Sequence, residues 1–317
     1  MFLANKGNSV IKPERLQPGV TIGVVGPASP MIKSRLKKGL HYLEERGYRV
    51  KLGKHVFDED GYFAGKDRDR AEDLNQMFRD PDIAAIFCTR GGYGSPRILP
   101  LIDYELIKKH PKILVGYSDI TALQLAIFTK TRLITFSGPM VAVEMAKGME
   151  PLTEYYFWQL LKDPERKIVI TTKHGIKFLK PGKVRGHLLG GCLSMVCSLL
   201  GTPYVPDFDN AILFLEDIGE EPYKIDRYLT QLKLAGILHR IGGLILGKFE
   251  DCKPSSRTAP SLTLERIIED ITADLPIPVV TDFPYGHVDI KFTMPVGGKV
   301  LIDSEENKVE FEEAAVV

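Results

Sequence analysis

From Val20 to Phe136 the chain alternates short apolar runs with helix-period stretches, and this alternation restricts the fold more than any other feature. Val20-Thr-Ile-Gly-Val-Val25 ends in Gly26-Pro-Ala-Ser-Pro30 and precedes a helix-period stretch from about Lys33 to Arg46. The series continues with Tyr48-Arg-Val-Lys-Leu52, a polar helix near Asp67 to Arg79, Ile83-Ala-Ala-Ile-Phe87 and a helix near Leu101 to Lys109. Ile113-Leu-Val115, an amphipathic helix after Ser118 and Leu133-Ile-Thr-Phe136 complete it. Such alternation with short links specifies an α/β fold, a parallel sheet flanked by helices. Ligands of such sheets bind beyond the carboxyl ends of the strands.

At 317 residues the chain exceeds the range over which one core usually grows, so two domains are expected. The pattern loosens after residue 140. A helix near Leu152 to Leu161 is followed by Lys162-Asp-Pro-Glu-Arg-Lys167 and later by Lys180-Pro-Gly-Lys183. We read residues 1–165 as one α/β domain, 166–179 as a linker and 180–317 as a second, β-rich domain. In that domain Asp289 to Val296 and Lys299 to Asp303, around Gly297-Gly298, read as a hairpin.

Positive and negative side chains nearly cancel, leaving a formal charge of +1. This gives no electrostatic reason to expect nucleic acid or an anionic membrane as partner. No stretch reaches the length of a membrane span, and the first residues lack the apolar run of a secretory signal. Cys88, Cys192, Cys197 and Cys252 are scattered, without a metal-type Cys-x-x-Cys pair. They read as reduced thiols of a cytoplasmic protein, and no metal is expected. The glycines of Arg90-Gly-Gly-Tyr-Gly94 fit neither a P-loop nor a dinucleotide fingerprint, so no nucleotide cofactor is expected either.

Two strand ends carry candidate chemistry. Ile113-Leu-Val-Gly-Tyr-Ser118-Asp-Ile-Thr121 places a serine between a short strand and a helix. A hydroxyl there lies beside the unpaired N–H groups of the helix start, which suits a nucleophile and an oxyanion site. Ser118 or Asp119 would equally serve as an ordinary N-cap, and Ile120 stands where a Gly-x-Ser-x-Gly elbow has its second glycine. A serine also needs a base and an orienting partner. Of the seven histidines, His41, His55, His110, His174 and His239 sit in surface-like contexts, and His187 enters a glycine turn. His287, in Phe283-Pro-Tyr-Gly-His-Val-Asp289, lies on a shaped loop after a strand, where catalytic groups collect. The carboxylate is sought at the end of Ala211-Ile-Leu-Phe-Leu-Glu-Asp217, where strand alternation sends Glu216 and Asp217 to opposite faces.

Together these segments resemble the LD-carboxypeptidase family, serine peptidases that include muramoyltetrapeptide carboxypeptidases and microcin C immunity proteins. The matching stretches are Gly23-Val-Val-Gly-Pro-Ala-Ser29, Arg90 to Gly94, Gly116 to Thr121, Gly186 through Gly201-Thr-Pro203, Leu213 to Asp217, Gly286-His287 and Met294 to Gly297. They stand in the family's order. The resemblance implies Ser118 as nucleophile, Glu216 as acid and His287 as general base, with the N–H groups of Gly92 and Asp119 as oxyanion hole. It further implies an amino-terminal domain like class I glutamine amidotransferases and flavodoxins, a smaller β-rich domain carrying Glu216 and His287, and a homodimer. The expected substrate is a murein tetrapeptide, cut between the L centre of a diamino acid and the terminal D-alanine, with Arg90 as a candidate for its carboxylate. An aminoacyl nucleotide conjugate is the substrate of the immunity branch, and a non-enzymatic binding protein on the same scaffold is a third reading. One departure is Gly190-Gly-Cys-Leu193, where the family pattern has Gly-Gly-Asn-Leu; a two-way hydrogen-bonding amide becomes a weakly bonding thiol.

Overall fold

The computed structural model describes residues 9–165, 167–256 and 260–317. The first part comprises β1 (Thr21–Val25), α1 (Lys33–Glu45), β2 (Arg49–Leu52), α2 (Asp67–Arg79), β3 (Ile83–Cys88), α3 (Ser95–Ile98) and α4 (Tyr104–Lys109). It continues with β4 (Ile113–Gly116), α5 (Ile120–Thr131), β5 (Thr135–Ser137), α6 (Glu144–Lys147) and α7 (Pro151–Lys162). Strands β2, β1, β3, β4 and β5 lie side by side in that order, all parallel. The order reverses between β1 and β3, which opens a crevice where the loops after these two strands face each other. Those loops are Gly26-Pro-Ala-Ser-Pro30 and Thr89-Arg-Gly-Gly-Tyr-Gly94.

The central strands are apolar along their length because both faces are covered; every residue of β4 is buried. Helix α5 is buried from Ile120 through Phe128. The helix expected to be amphipathic is thus buried on all sides rather than on one face, because α5 packs against both β5 of the first sheet and β8 and α8 of the second.

The second part comprises β6 (Ile168–Thr171), β7 (Lys177–Lys180), β8 (Lys183–Cys192), α8 (Leu193–Ser198), β9 (Ile212–Ile218), α9 (Pro222–Leu234) and β10 (Gly243–Glu250). It ends with α10 (Leu264–Thr272), β11 (Val279–Thr281), β12 (Met294–Val296), β13 (Lys299–Asp303) and β14 (Lys308–Phe311). Its eight-stranded sheet runs β6, β14, β13, β8, β9, β10, β11, β7. The middle four, β8 to β11, are parallel, and the flanking pairs are antiparallel.

Two local expectations change. The stretch read as a linker, 166–179, supplies β6 and part of β7, which pair with β14 and β11. The expected hairpin around Gly297-Gly298 does not form. β12 instead pairs antiparallel with β5 as the sixth strand of the first sheet, while β13 turns back onto β8 and forms its hairpin with β14. Pro295 lacks a ladder donor, which suits β12 to the edge position it takes.

Candidate active site

Ser118 stands in the turn between β4 and α5 with a φ of 65°. A left-handed conformation costs a residue with a Cβ on the order of 1 kcal/mol, so the surroundings must hold it there. Asp119 does much of this. Its side chain is buried and does not cap its own helix. Oδ1 accepts the Gly94 N–H at 3.2 Å and Oδ2 the Ser95 N–H at 2.8 Å, while Ser95 Oγ donates to the Asp119 carbonyl. The two candidate loops are thereby tied into one unit. Burial pushes the Asp119 carboxyl up, with the bonds from Ser95 and Gly94 acting in the opposite direction. The N-cap alternative is thus set aside for both residues, since Ser118 Oγ also has no hydrogen-bond partner among the described residues.

The glycine loop approaches the serine at van der Waals range. A Cβ on Gly91 would lie 2.8 Å from Ser118 Cβ, 3.0 Å from its Oγ and 3.3 Å from the Asp119 nitrogen. Gly92 has a φ of 114°, and a Cβ there would meet Ser29 Oγ at 2.3 Å. Ser29 fixes this loop from across the switch-point crevice: its Oγ accepts the Tyr93 N–H at 3.0 Å and its own N–H donates to the Gly91 carbonyl at 3.4 Å. Among the described residues, neither the Gly92 nor the Asp119 N–H is taken up by another protein group. Arg90 is half-buried, donates to the Pro30 carbonyl at 3.3 Å and has no carboxylate partner among the described residues.

Glu216 and His287 come from the second sheet. Glu216 is fully buried near the end of β9, opposite Cys192 of β8. His287 follows β11 in a loop that turns at Asp282 and Gly286, both at positive φ. Nδ1 of His287 lies 2.7 Å from Glu216 Oε2. Gly286 lets the loop run close over the carboxylate, since a Cβ there would stand 2.9 Å from Oε2. Burial pushes the Glu216 carboxyl up; the bond and charge of His287 pull it down, and the Asp217 charge adds to the rise. Glu216 Oε1 is buried with no partner among the described residues. Asp217 points to the other face, as strand alternation requires, where Oδ2 accepts the Ser194 N–H at 2.8 Å.

The structure therefore sets His287 on Glu216 and brings its ring to 5.0 Å from that of Tyr117, the residue before Ser118. His187 is engaged elsewhere, 2.9 Å from the Gly297 carbonyl. Cys192 Sγ lies 3.2 Å from Ser194 Oγ and 3.5 Å from Asp217 Oδ1, and burial first, then the Asp217 charge, push its thiol far up. That environment opposes a thiolate. One group of metal-capable side chains is present among the described residues, His55, Asp58 and Asp69, each at least partly exposed.

Sequence reasoning missed Tyr117, Glu144 and Lys291. The Tyr117 hydroxyl donates to Glu144 Oε1 at 2.6 Å, and Lys291 Nζ donates to the same oxygen at 2.7 Å. Only the adjacency of Tyr117 to Ser118 offered a signal; Glu144 and Lys291 sit in locally unremarkable polar contexts.

Both parts of the chain are similar to known proteins. Residues 22–138 match the LD-carboxypeptidase N-terminal domain and residues 185–302 the LD-carboxypeptidase C-terminal domain. A probable murein peptide carboxypeptidase of Bacillus subtilis (strain 168) is 42% identical over 302 residues, covering 95% of this chain and 94% of that protein. The structure of MccF in complex with glutamyl sulfamoyl guanosine superposes with a TM-score of 0.89 at 28% identity, covering 96% of this chain and 99% of that one. Muramoyltetrapeptide carboxypeptidase from Oxalobacter formigenes gives 0.82 at 31% identity, covering 92% and 97%. With both domains matched in order along most of its length, this chain belongs to the LD-carboxypeptidase family.

Proposed function

We propose that this protein is a serine carboxypeptidase that releases the terminal D-alanine of murein tetrapeptides by cutting its bond to the L centre of a diamino acid. The observation that carries the reading is the buried Glu216 held 2.7 Å from His287 Nδ1, beside the turn that presents an unbonded Ser118 hydroxyl. His287 Nδ1–H donates to Glu216, so the proton-free Nε2 serves as base. Ser118 Oγ attacks the scissile carbonyl carbon as Nε2 takes its proton. The carbonyl oxygen becomes an oxyanion facing the N–H groups of Gly92 and Asp119, donors of a kind typically worth about 3 kcal/mol each. Collapse breaks the C–N bond, and His287 gives the proton to the departing D-alanine amine. Water, activated by the same imidazole, then hydrolyses the acyl-enzyme. Arg90, half-buried and free of carboxylate, is the group offered to the substrate's terminal carboxylate. No cofactor enters any step.

Acting on wall-derived peptides, the enzyme would serve peptidoglycan recycling in the cytoplasm, a setting that suits its four free, buried cysteines. A homodimer is the assembly that the family resemblance implies. The likeness to MccF favours a second reading, cleavage of an aminoacyl nucleotide amide by the same Ser118, Glu216 and His287. Mass spectrometry of the protein incubated separately with L-Ala-γ-D-Glu-diaminopimelate-D-Ala and a peptidyl-aminoacyl nucleotide separates the two. Release of D-alanine by wild type and not by Ser118→Ala is expected. Cleavage of the nucleotide conjugate alone would transfer the assignment to the second reading, and full activity of Ser118→Ala would end both.

A further inference from the structure

The left-handed Ser118 needs support on both sides, and Asp119 supplies only one. On the other side Tyr117 is buried, with its hydroxyl on Glu144 Oε1, its ring 4.2 Å from Lys291 Nζ and the same ring 5.0 Å from that of His287. Glu144 Oε2 accepts the Met140 N–H at 2.9 Å, so the carboxylate is fixed at both oxygens. Burial acts to raise the Glu144 carboxyl, but the Lys291 charge, with bonds from Lys291, Tyr117 and Met140, outweighs it and holds the group below its usual range. Lys291 is 2% exposed and lies four residues after His287. Its N–H donates to Thr153 Oγ1 at 2.8 Å, and that hydroxyl donates to the Asp289 carbonyl at 3.1 Å. One carboxylate thus anchors both the residue before the nucleophile and the loop that carries the base.

None of these three side chains has a step in the proposed hydrolysis. Stability does not explain them either, because a buried ion pair is often no better than apolar packing of the same volume. We propose that Tyr117, Glu144 and Lys291 form a positioning device that sets Ser118, delivered by the first sheet, against His287, delivered by the second. The inference rests on the reading of Ser118 and His287 given above. Tyr117 is the joint, since its backbone continues into the strained turn while its ring abuts the imidazole. Loss of the hydroxyl leaves the ring free to tilt, and both reacting groups lose their common reference.

The test reads serine reactivity without any assumed substrate, through the rate of Ser118 labelling by a fluorophosphonate probe, together with kcat and KM on the tetrapeptide. Tyr117→Phe, which removes one oxygen atom, should lower the labelling rate and kcat together on the order of tenfold. KM should stay within about twofold. The double variant Glu144→Gln/Lys291→Met leaves no unpaired charge buried and should slow labelling comparably. Adding Tyr117→Phe to it should cost clearly less than Tyr117→Phe costs the wild type, as for residues acting along one path. Labelling at the wild-type rate in Tyr117→Phe, or strictly additive losses, would overturn the positioning role while leaving the nucleophile in place. A wild type that does not label at Ser118 at all would overturn the nucleophile assignment, and the device with it.

Discussion

Replacing Glu216 by glutamine tests the electrostatic heart of the proposed chemistry with little change of shape. The carboxylate is fully buried and its Oε2 lies 2.7 Å from His287 Nδ1. Charge centres roughly 4 Å apart in an effective dielectric of about 20 attract by about 4 kcal/mol, and this attraction grows in as the imidazolium forms. Glutamine removes it. When its NH2 faces Nδ1, the ring must also carry its proton on Nε2 and cannot accept one from Ser118. Together these effects predict a fall in kcat of about 10³ to 10⁴, with KM changed by less than about threefold. The same substitution should stabilise the fold. Because burial raises the folded-state pKa of Glu216, the folded protein holds a proton that the unfolded chain has already released. Stability therefore falls as pH rises from the usual carboxylate pKa to the raised one, and the whole penalty is present above that window. Glutamine carries no such penalty, so the Tm advantage of Glu216→Gln over wild type should widen between about pH 4 and about pH 7. D-Alanine release followed with D-amino-acid oxidase, beside thermal unfolding at the two pH values, measures both. A kcat within tenfold of wild type, or a Tm advantage that shrinks toward neutral pH, would refute the reasoning.

Ser118→Gly should abolish turnover while stabilising the fold by about 0.5–1 kcal/mol, since glycine accepts the φ of 65° without strain; chemical denaturation showing a loss of stability would contradict this. Gly92→Ala should lower kcat by about 10² or more, because its Cβ meets Ser29 Oγ at 2.3 Å and must move the N–H assigned to the oxyanion; unchanged steady-state kinetics would remove Gly92 from that role. Burial raises the thiols of Cys197 to about 12 and Cys252 to about 11, and those of Cys88 and Cys192 are also raised, so iodoacetamide near neutral pH should leave activity intact. Inactivation stoichiometric with alkylation of Cys192 would reopen the identity of the nucleophile.

The parallel sheet was legible because strands covered on both faces must be apolar throughout, and Ile113 to Val115 and Ile83 to Phe87 stand out against their polar surroundings. The placement of Ser118, Glu216 and His287 at or beyond strand ends was legible because each ends or follows such a run. β12 was not. Local pattern joined it to β13, whereas its partner β5 lies more than 150 residues earlier, and only Pro295 marked it as an edge strand. The segment 166–179 was hidden differently: Ile168–Thr171 is a β-branched run of only four residues behind the charged Lys162 to Lys167, and Lys177–Lys180 is a flanking strand with no buried residue, so its hydrophobic signal is weak. Glu144 and Lys291 were invisible because a charged residue reads as solvated until its burial and its partner are known, and theirs are 147 residues apart.

That separation follows from how the two sheets meet. Near the end of β8, Gly190 and Gly191 have φ values of 140° and 138°, and a Cβ on Gly191 would stand 2.4 Å from Thr121 Oγ1. Without it, Thr121 in the first turn of α5 accepts the Cys192 N–H at 3.1 Å. Cys192 is in turn the register partner of Glu216. The helix that begins just after Ser118 is thus hydrogen-bonded to the strand beside the one that carries the acid. The His287 loop leads into β12 and hence into the first sheet, so the base is tethered at both ends, to β11 in one sheet and to β12 in the other. A site assembled from two sheets would drift if the sheets moved as separate bodies. Here the glycine seam at Thr121, the exchanged strand β12 and the Tyr117–Glu144–Lys291 contact each join the two parts within a few residues of a candidate catalytic group. This explains why a chain with two separate sheets places the close approach of Gly191 to Thr121 and the buried Glu144–Lys291 ion pair where those sheets touch.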